Sequence, residues 1–399
     1  MSPFFDDLET RSPAARQAAQ LDALRAQIAL VRAMPDACLP DVVITSLADL
    51  TLFPVLRKSG LGGWQKSKPP FGGLHVSNLT HVFQSPGPIY EPGGSSHDWW
   101  RFGRFLHACG IGAGDIVQNC FGYHLTPAGT MFENGARAVG AAVLPAGTGQ
   151  TELQVRAAVD IGTTAYAGTP DYLKVLLEKA DEMGVTLAIT KAAVSGGALF
   201  PQLRQYYADR GITCLQCYAT ADLGHIAFES APGEGMIVDE GVIVEIVTPG
   251  TGDPVADGEV GEVVVTSLNP DYPLIRFATG DLSAVLSGTS PCGRTNIRIK
   301  GWMGRADQTT KIKGMFVRPE QVAALVAKVP GALRARVIAD RQGDADVMQV
   351  HVEGEGLVAE AIAVIVVDVL KLKGEVTCVA PGTLPRDGLV IEDRRTYET

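Results

Sequence analysis

Two stretches decide the fold: "YPLIRFATGD" (Tyr272–Asp281) and "GRADQTTKIKGMFVRPEQV" (Gly304–Val322). The first alternates apolar residues and closes on Gly-Asp, which predicts a strand running into a turn. The second marks a break in composition, from which we place a domain boundary near Asp307. Beyond it come "RARVIAD" (Arg334–Asp340), "DVMQVHVEG" (Asp346–Gly354), an apolar helical run at Gly356–Lys371 and "EVTCVAPG" (Glu375–Gly382). Such a β-β-α-β set of ~90 residues is large enough to form its own small domain.

Upstream, residues 97–230 alternate helical and strand patterns. "DIVQNCF", "AAVLPA", "TAYAG", "KAAVSGG" and "TCLQCY" read as short strands, separated by amphipathic segments such as "TPAGTMFENGARAVG" and "PDYLKVLLEKADEMG". This pitch implies right-handed βαβ units on a parallel sheet, with ligands at the strands' carboxyl ends. "HDWWRFGRFLHACG" is read as a helix ending at Gly110, and residues 12–34 as a helix capped by Ser12 with Pro13 in its first turn. From about 232 to 300 the pattern turns to alternating β segments, as in a small antiparallel sheet or barrel. The expected architecture is α/β: a large N-terminal domain over 1–306, with a mostly parallel βαβ sheet and a small antiparallel β subdomain, then a small α+β domain over 307–399.

The chain has 399 residues, a net charge of -10 and no Lys/Arg-dense run, which argues against nucleic acid or a membrane surface as partner. No signal-like segment opens it, and the most apolar run is interrupted by Glu360 and Asp368, so a cytoplasmic location is expected. Seven scattered cysteines suit reducing conditions. Cys214 and Cys217 have metal-like spacing, yet lie in a strand pattern with no second pair, and we read them as structural.

"IRFATGD", "GRADQTTKIKG", "VSGGAL" (Val194–Leu199) and "CYATADLG" (Cys217–Gly224) stand in the order and spacing of the adenylate-forming superfamily. From about residue 40 onward the chain resembles its phenylacetate-CoA ligase branch. Such ligases convert a carboxylate and ATP to an acyl adenylate, after which a small C-terminal lid domain swings so that coenzyme A can attack. The resemblance implies that Asp281 holds the ribose diol with Arg305 beside it, since a carboxylate accepts both hydroxyl hydrogens. It implies an adenine slot at Gly196, Gly197, Tyr218 and Thr220, and a hinge at Asp307. "FGYHLTPAG" (Phe121–Gly129) matches the segment lining the acyl pocket, making Tyr123, His124 and Ala219 candidates for substrate contact; a histidine beside apolar residues is equally often a core side chain.

Three departures touch the chemistry of ATP. The family's phosphate loop reads approximately S-S-G-T-T-G-K-P, and "SPGPIYEP" (Ser85–Pro92) lies in register with it. Gly87 and Pro92 remain, but Pro86 and Pro88 each delete a backbone donor and Glu91 stands in place of the lysine. At an effective dielectric near 20, exchanging cation for anion ~4 Å from one phosphate charge changes the interaction by about 8 kcal/mol before screening. In "YATAD", Asp222 replaces a glutamate that serves Mg²⁺ in the family. In "LPRDGLVIEDRR" (Leu384–Arg395), Leu389 follows Gly388 where the family has its adenylation lysine, with Arg386 offset by three positions. Losing such a group costs on the order of 10² to 10³ in rate. Of a zinc site found in some relatives only Cys292 is evident, with Ser230 and Ser290 at the other places, so no structural zinc is expected.

The leading reading is therefore an enzyme of this fold that keeps nucleoside (AMP) and acyl pockets, uses ATP and Mg²⁺ poorly, and acts on a ready-made aryl- or acyl-CoA thioester by hydrolysis or transfer to a carrier thiol. His124, Asp222 and Glu91 are its candidate catalytic proton acceptors. A second reading is an AMP-forming aryl-CoA ligase whose phosphates are held by other groups, such as Lys311 and Lys313. A third is a non-catalytic AMP- or acyl-CoA-binding protein. A homodimer is expected by analogy alone.

Overall fold

The computed structural model describes residues 2–34, 39–86, 88–306, 308, 310–313, 315–342 and 345–395, without the side chains of Lys311, Phe316 and Ala345. The expected hinge Asp307, the loop glycine Gly87, Cys38 and the Lys311 side chain lie outside the described residues.

The chain opens with helix α1 (Pro13–Arg32), where Ser12 accepts a hydrogen bond from the Ala15 backbone N–H and Pro13 occupies the first turn. Strand β1 (Leu56–Arg57) leads directly into α2 (Lys58–Ser67). Strands β2 (Leu79–Ser85) and β3 (Ile89–Gly94) then form an antiparallel hairpin in which Ser85 faces Ile89 and Phe83 faces Glu91. Helix α3 (Gly103–Ala108) is shorter than its sequence pattern predicts. Asp98 and Arg101 adopt positive φ, and the Asp98 carboxylate accepts from the Gly103 N–H, so the helix begins only after both tryptophans.

The βαβ region follows the predicted alternation: β4 (Ile116–Asn119), α4 (Ala128–Ala138), β5 (Ala142–Pro145), α5 (Thr151–Ile161), β6 (Ala165–Gly168), α6 (Pro170–Glu182), β7 (Lys191–Val194), α7 (Pro201–Asp209) and β8 (Thr213–Thr220). β5, β4, β6, β7 and β8 pair in parallel in that order. Beneath them Tyr166, Leu173, Leu176, Ala192, Val194 and Tyr207 make one buried cluster. Each large apolar side chain there contributes roughly 1.5–3 kcal/mol through burial.

From β8 the sheet continues antiparallel through β9 (Gly224–Phe228) and β10 (Met236–Val238). Strands β11 (Val242–Val247), β12 (Gly261–Ser267) and β13 (Phe277–Ser283) belong to a separate four-stranded sheet. The short β14 (Val285–Leu286) and β15 (Arg298–Ile299) complete the nine-stranded main sheet, in the order β14-β15-β10-β9-β8-β7-β6-β4-β5. Part of the 232–300 region thus extends the main sheet, covering an edge that β9 would otherwise expose.

The C-terminal part holds the hairpin β16 (Thr310–Ile312) and β17 (Met315–Val317), helix α8 (Pro319–Lys328), the long hairpin β18 (Ala332–Gln342) and β19 (Ala345–Gly354), α9 (Ala359–Leu370), β20 (Glu375–Val379) and β21 (Ile391–Asp393). Its sheet runs β20-β19-β18-β21 and is backed by Leu325, Val337, Val350, Val366 and Leu370. By internal contacts the chain divides into two compact units: 1–244 with 265–277 and 286–302, and 245–264 with 278–285 and 303–399.

Candidate active site

In the first unit the parallel strands place three loops at their carboxyl ends. Phe121–Gly129 follows β4, Gly196–Gly197 follows β7, and Ala221–Leu223 follows β8. They are mutually braced: the Cys120 N–H donates to Ala167 O, the Ser195 N–H to Gly168 O, and the Ser195 hydroxyl to Cys217 O. Gly196 has φ of 71°, and a Cβ on it would sit 3.7 Å from the Phe121 ring. Tyr218 is buried in β8, and the Thr220 hydroxyl accepts from the Leu223 N–H. Ala219 stands between them, half-buried, opposite His225 of β9.

Tyr123 is half-buried. The Asn119 amide donates to its hydroxyl at 2.8 Å, its ring packs where a Gly129 side chain would be, and burial, then Glu133, raises its pKa. His124 is exposed, so the alternative of a core histidine is corrected: a bend after Tyr123 turns the ring outward to water. Cys214 and Cys217 are both buried, and burial pushes each thiol up to about 12.

Glu91 lies in β3, wholly buried, with its backbone in the ladder opposite Phe83. Pro86 and Pro88 fall in the turn between β2 and β3, where a missing donor costs no ladder bond. Gly93 and Gly94 let β3 pass against Trp100 and Trp99; a Cβ on Gly94 would come 2.2 Å from the Trp99 indole nitrogen. Helix α2 grips the same strand from another side. The Gln65 amide donates to Tyr90 O at 2.7 Å, and the Tyr90 N–H donates to Gln65 Oε1 at 2.8 Å.

The first residue of α2, Lys58, extends its ammonium to Asp222 Oδ2 at 2.5 Å, closing an ion pair whose carboxylate side is fully buried. Among the described residues neither Asp222 Oδ1 nor the Tyr272 hydroxyl has a partner of hydrogen-bond geometry. Burial and then the Asp222 charge raise the Glu91 carboxyl to about 7; the Ser85 hydroxyl and backbone N–H and the Lys58 ammonium oppose this only in part. Tyr272 is raised by burial and by the same two carboxylates. Its loop is pinned by Asp271, which accepts from Ser77, Asn78 and Trp99. Glu91, Asp222, Lys58 and Tyr272 thus act on one another as a polar cluster. Lys58 carries no local sequence signal, because its partner lies 164 residues away.

In the second unit Asp281 and Arg305 form an isolated antiparallel bridge, and Arg305 Nη1 donates to Asp281 Oδ1 at 2.9 Å. The Arg305 side chain is half exposed while the carboxylate is largely covered. Leu389 donates its N–H to Asp387, Gln308 holds Gly388 O, and Arg386 pairs with Glu259 at 3.1 Å. Lys313 is exposed, and its backbone N–H donates to Asp346.

Among the described residues no group of three or more His, Cys, Asp or Glu is arranged to hold a metal. Ser230 and Ser290 do gather at Cys292. Burial raises that thiol, but their hydroxyls and Arg294 together bring it below the ordinary value.

No family model matches the chain. It is 30% identical over 336 residues to the phenylacetate-coenzyme A ligase of Escherichia coli strain K12, spanning 77% of this chain and 73% of that protein. The chain belongs to the phenylacetate-coenzyme A ligase family. The Thermus thermophilus phenylacetate-coenzyme A ligase is 29% identical over 327 residues, 77% of this chain and 72% of its own. A solved 2-hydroxyisobutyryl-CoA ligase, in complex with R3-HIB-AMP, shares the fold with a TM-score of 0.70 at 24% identity, over 97% of this chain and 91% of that one. Membership of this ligase family makes the mixed α/β architecture the adenylate-forming one. Among the described residues no helix is long and apolar enough to cross a membrane.

Proposed function

We propose that this family member processes a ready-made aryl or acyl thioester, by transfer to a carrier thiol or to water, and does not efficiently activate a free acid with ATP. One observation carries the reading: Glu91, which the resemblance sets in register with the family's phosphate loop, is a wholly buried carboxyl beside a second carboxylate. A triphosphate entering there would meet two acids and a single ammonium already paired to one of them. Thioester exchange is near thermoneutral and requires only positioning and a proton acceptor. Of the three candidates, Glu91 is the carboxyl that burial and the Asp222 charge raise to about 7, whereas Asp222 is tied to Lys58 and His124 faces solvent. In this reading the nucleophile's oxygen or sulfur attacks the carbonyl carbon, Glu91 takes its proton, the C–S bond breaks, and the proton passes to the departing thiolate. Asp281 with Arg305 serves the ribose, Gly196, Gly197, Tyr218 and Thr220 the adenine, and Tyr123, His124 and Ala219 the acyl group. Residues 307–399 act as the lid, hinged at Asp307.

Lys58 favours a second reading, an AMP-forming ligase in which this ammonium replaces the missing loop lysine. The two separate on one pair of assays with aryl- and short acyl-CoAs and the matching acids. The first reading predicts free thiol released without ATP; the second predicts release of pyrophosphate only with acid, ATP and Mg²⁺ together.

A further inference from the structure

Helix α2 has a second side. Opposite the Tyr90 clamp and the Asp222 ion pair it walls a cavity of about 550 Å³, within the usual range of small-molecule sites. Leu56, Trp64, Leu74 and Ile275 supply apolar walls. The polar lining includes Lys68 and His75, and among the described lining residues there is no Asp or Glu. Trp64 is 49% exposed, an unusual position for an indole that is not a surface ornament but a cavity wall.

We propose that this cavity is a second small-molecule site that takes an apolar monoanion, an aryl or medium-chain carboxylate, with its apolar body against Trp64 and its charge toward Lys68 and His75. The cavity lies apart from the loops at the strands' carboxyl ends, and the inference does not depend on which reaction those loops support. It has a mechanical consequence. A ligand packed on Trp64 bears on the helix whose first residue holds Asp222 and whose Gln65 fixes the backbone beside Glu91.

Anilinonaphthalene sulfonate, an apolar fluorescent anion, probes the site in the full-length protein. We expect saturable binding at one site, displaced by phenylacetate or octanoate and not by phenethylamine or octylamine. Leu74→Trp, which fills the cavity, should abolish the binding, and Lys68→Glu should weaken it at least about tenfold, an electrostatic change of roughly 1.4 kcal/mol or more. Tyr123→Ala, in the candidate acyl pocket, should leave it unchanged. Unchanged melting temperatures and far-ultraviolet spectra establish that both cavity variants are folded. Non-saturable binding, equal displacement by the amines, or loss in Tyr123→Ala with retention in both cavity variants overturns the proposal.

Discussion

Glu91 is held where its ionisation opposes folding. Its carboxyl titrates at about 7 in the folded protein against a reference of 4.5, because burial and Asp222 disfavour the anion. The folded state therefore binds this proton more tightly than the unfolded chain does. Its contribution is fully favourable below about pH 4.5 and is lost as pH rises through about 7, a swing of up to roughly 3 kcal/mol. Glu91→Gln should raise the melting temperature at about pH 8 and change it little at about pH 4.5; an equal shift at both would place the carboxyl in an ordinary environment. Lys58→Met tests the other charge. It leaves the Asp222 carboxylate buried without its cation, and a loss of about 2–3 kcal/mol is expected, somewhat below a fully buried pair because Lys58 is partly exposed. Glu91 was legible as a candidate, since an anion in a stretch that resembles the family's phosphate loop is a local feature. Lys58, the cation of the same cluster, was not, because "LRKSG" contains nothing that points to a residue 164 positions away.

At the scale of elements, the βαβ strands and helices were legible because each carries its own period and punctuation: α6 opens on Pro170, and α5 ends on Gly162 in the left-handed region. The segment Trp99–Phe102 was not. Its tryptophans and Arg101 mimic a helical stripe, but Arg101 is tied to Leu223 O, His225 O and Asp239, partners more than a hundred residues distant. These long-range bonds override the local pattern. "SPGPIYEP" likewise reads as a loop by composition, yet only its centre is a turn and Ile89–Gly94 is a strand. That strand depends on Gln65 for both polar groups of Tyr90. Gln65→Leu strands a backbone N–H and a C=O together and should cost about 2–4 kcal/mol. Hydrogen exchange at Tyr90 and Glu91 should accelerate well beyond exchange in β6; uniform acceleration across the sheet would mean that α2 does not specifically hold β3.

At the scale of the whole molecule, family membership and architecture follow from features spread along most of the chain, whereas the proposed reaction turns on a few positions read as departures from the family's motifs. In the proposed reading Glu91 and Leu389 take the places of two lysines of the family's motifs. If the rest of the fold is competent, Glu91→Lys with Leu389→Lys should raise acid-dependent ATP–pyrophosphate exchange by about tenfold or more, a gain of roughly 1.4 kcal/mol in transition-state stabilisation. The wild-type protein provides the most direct measurement: isotopic ATP–pyrophosphate exchange with Mg²⁺, across a panel of aryl and short acyl acids, beside thiol release from the matching thioesters without ATP. The account predicts exchange no faster than the enzyme-free background together with thiol release from at least one thioester. Acid-dependent exchange at or above the rate of thiol release would contradict it.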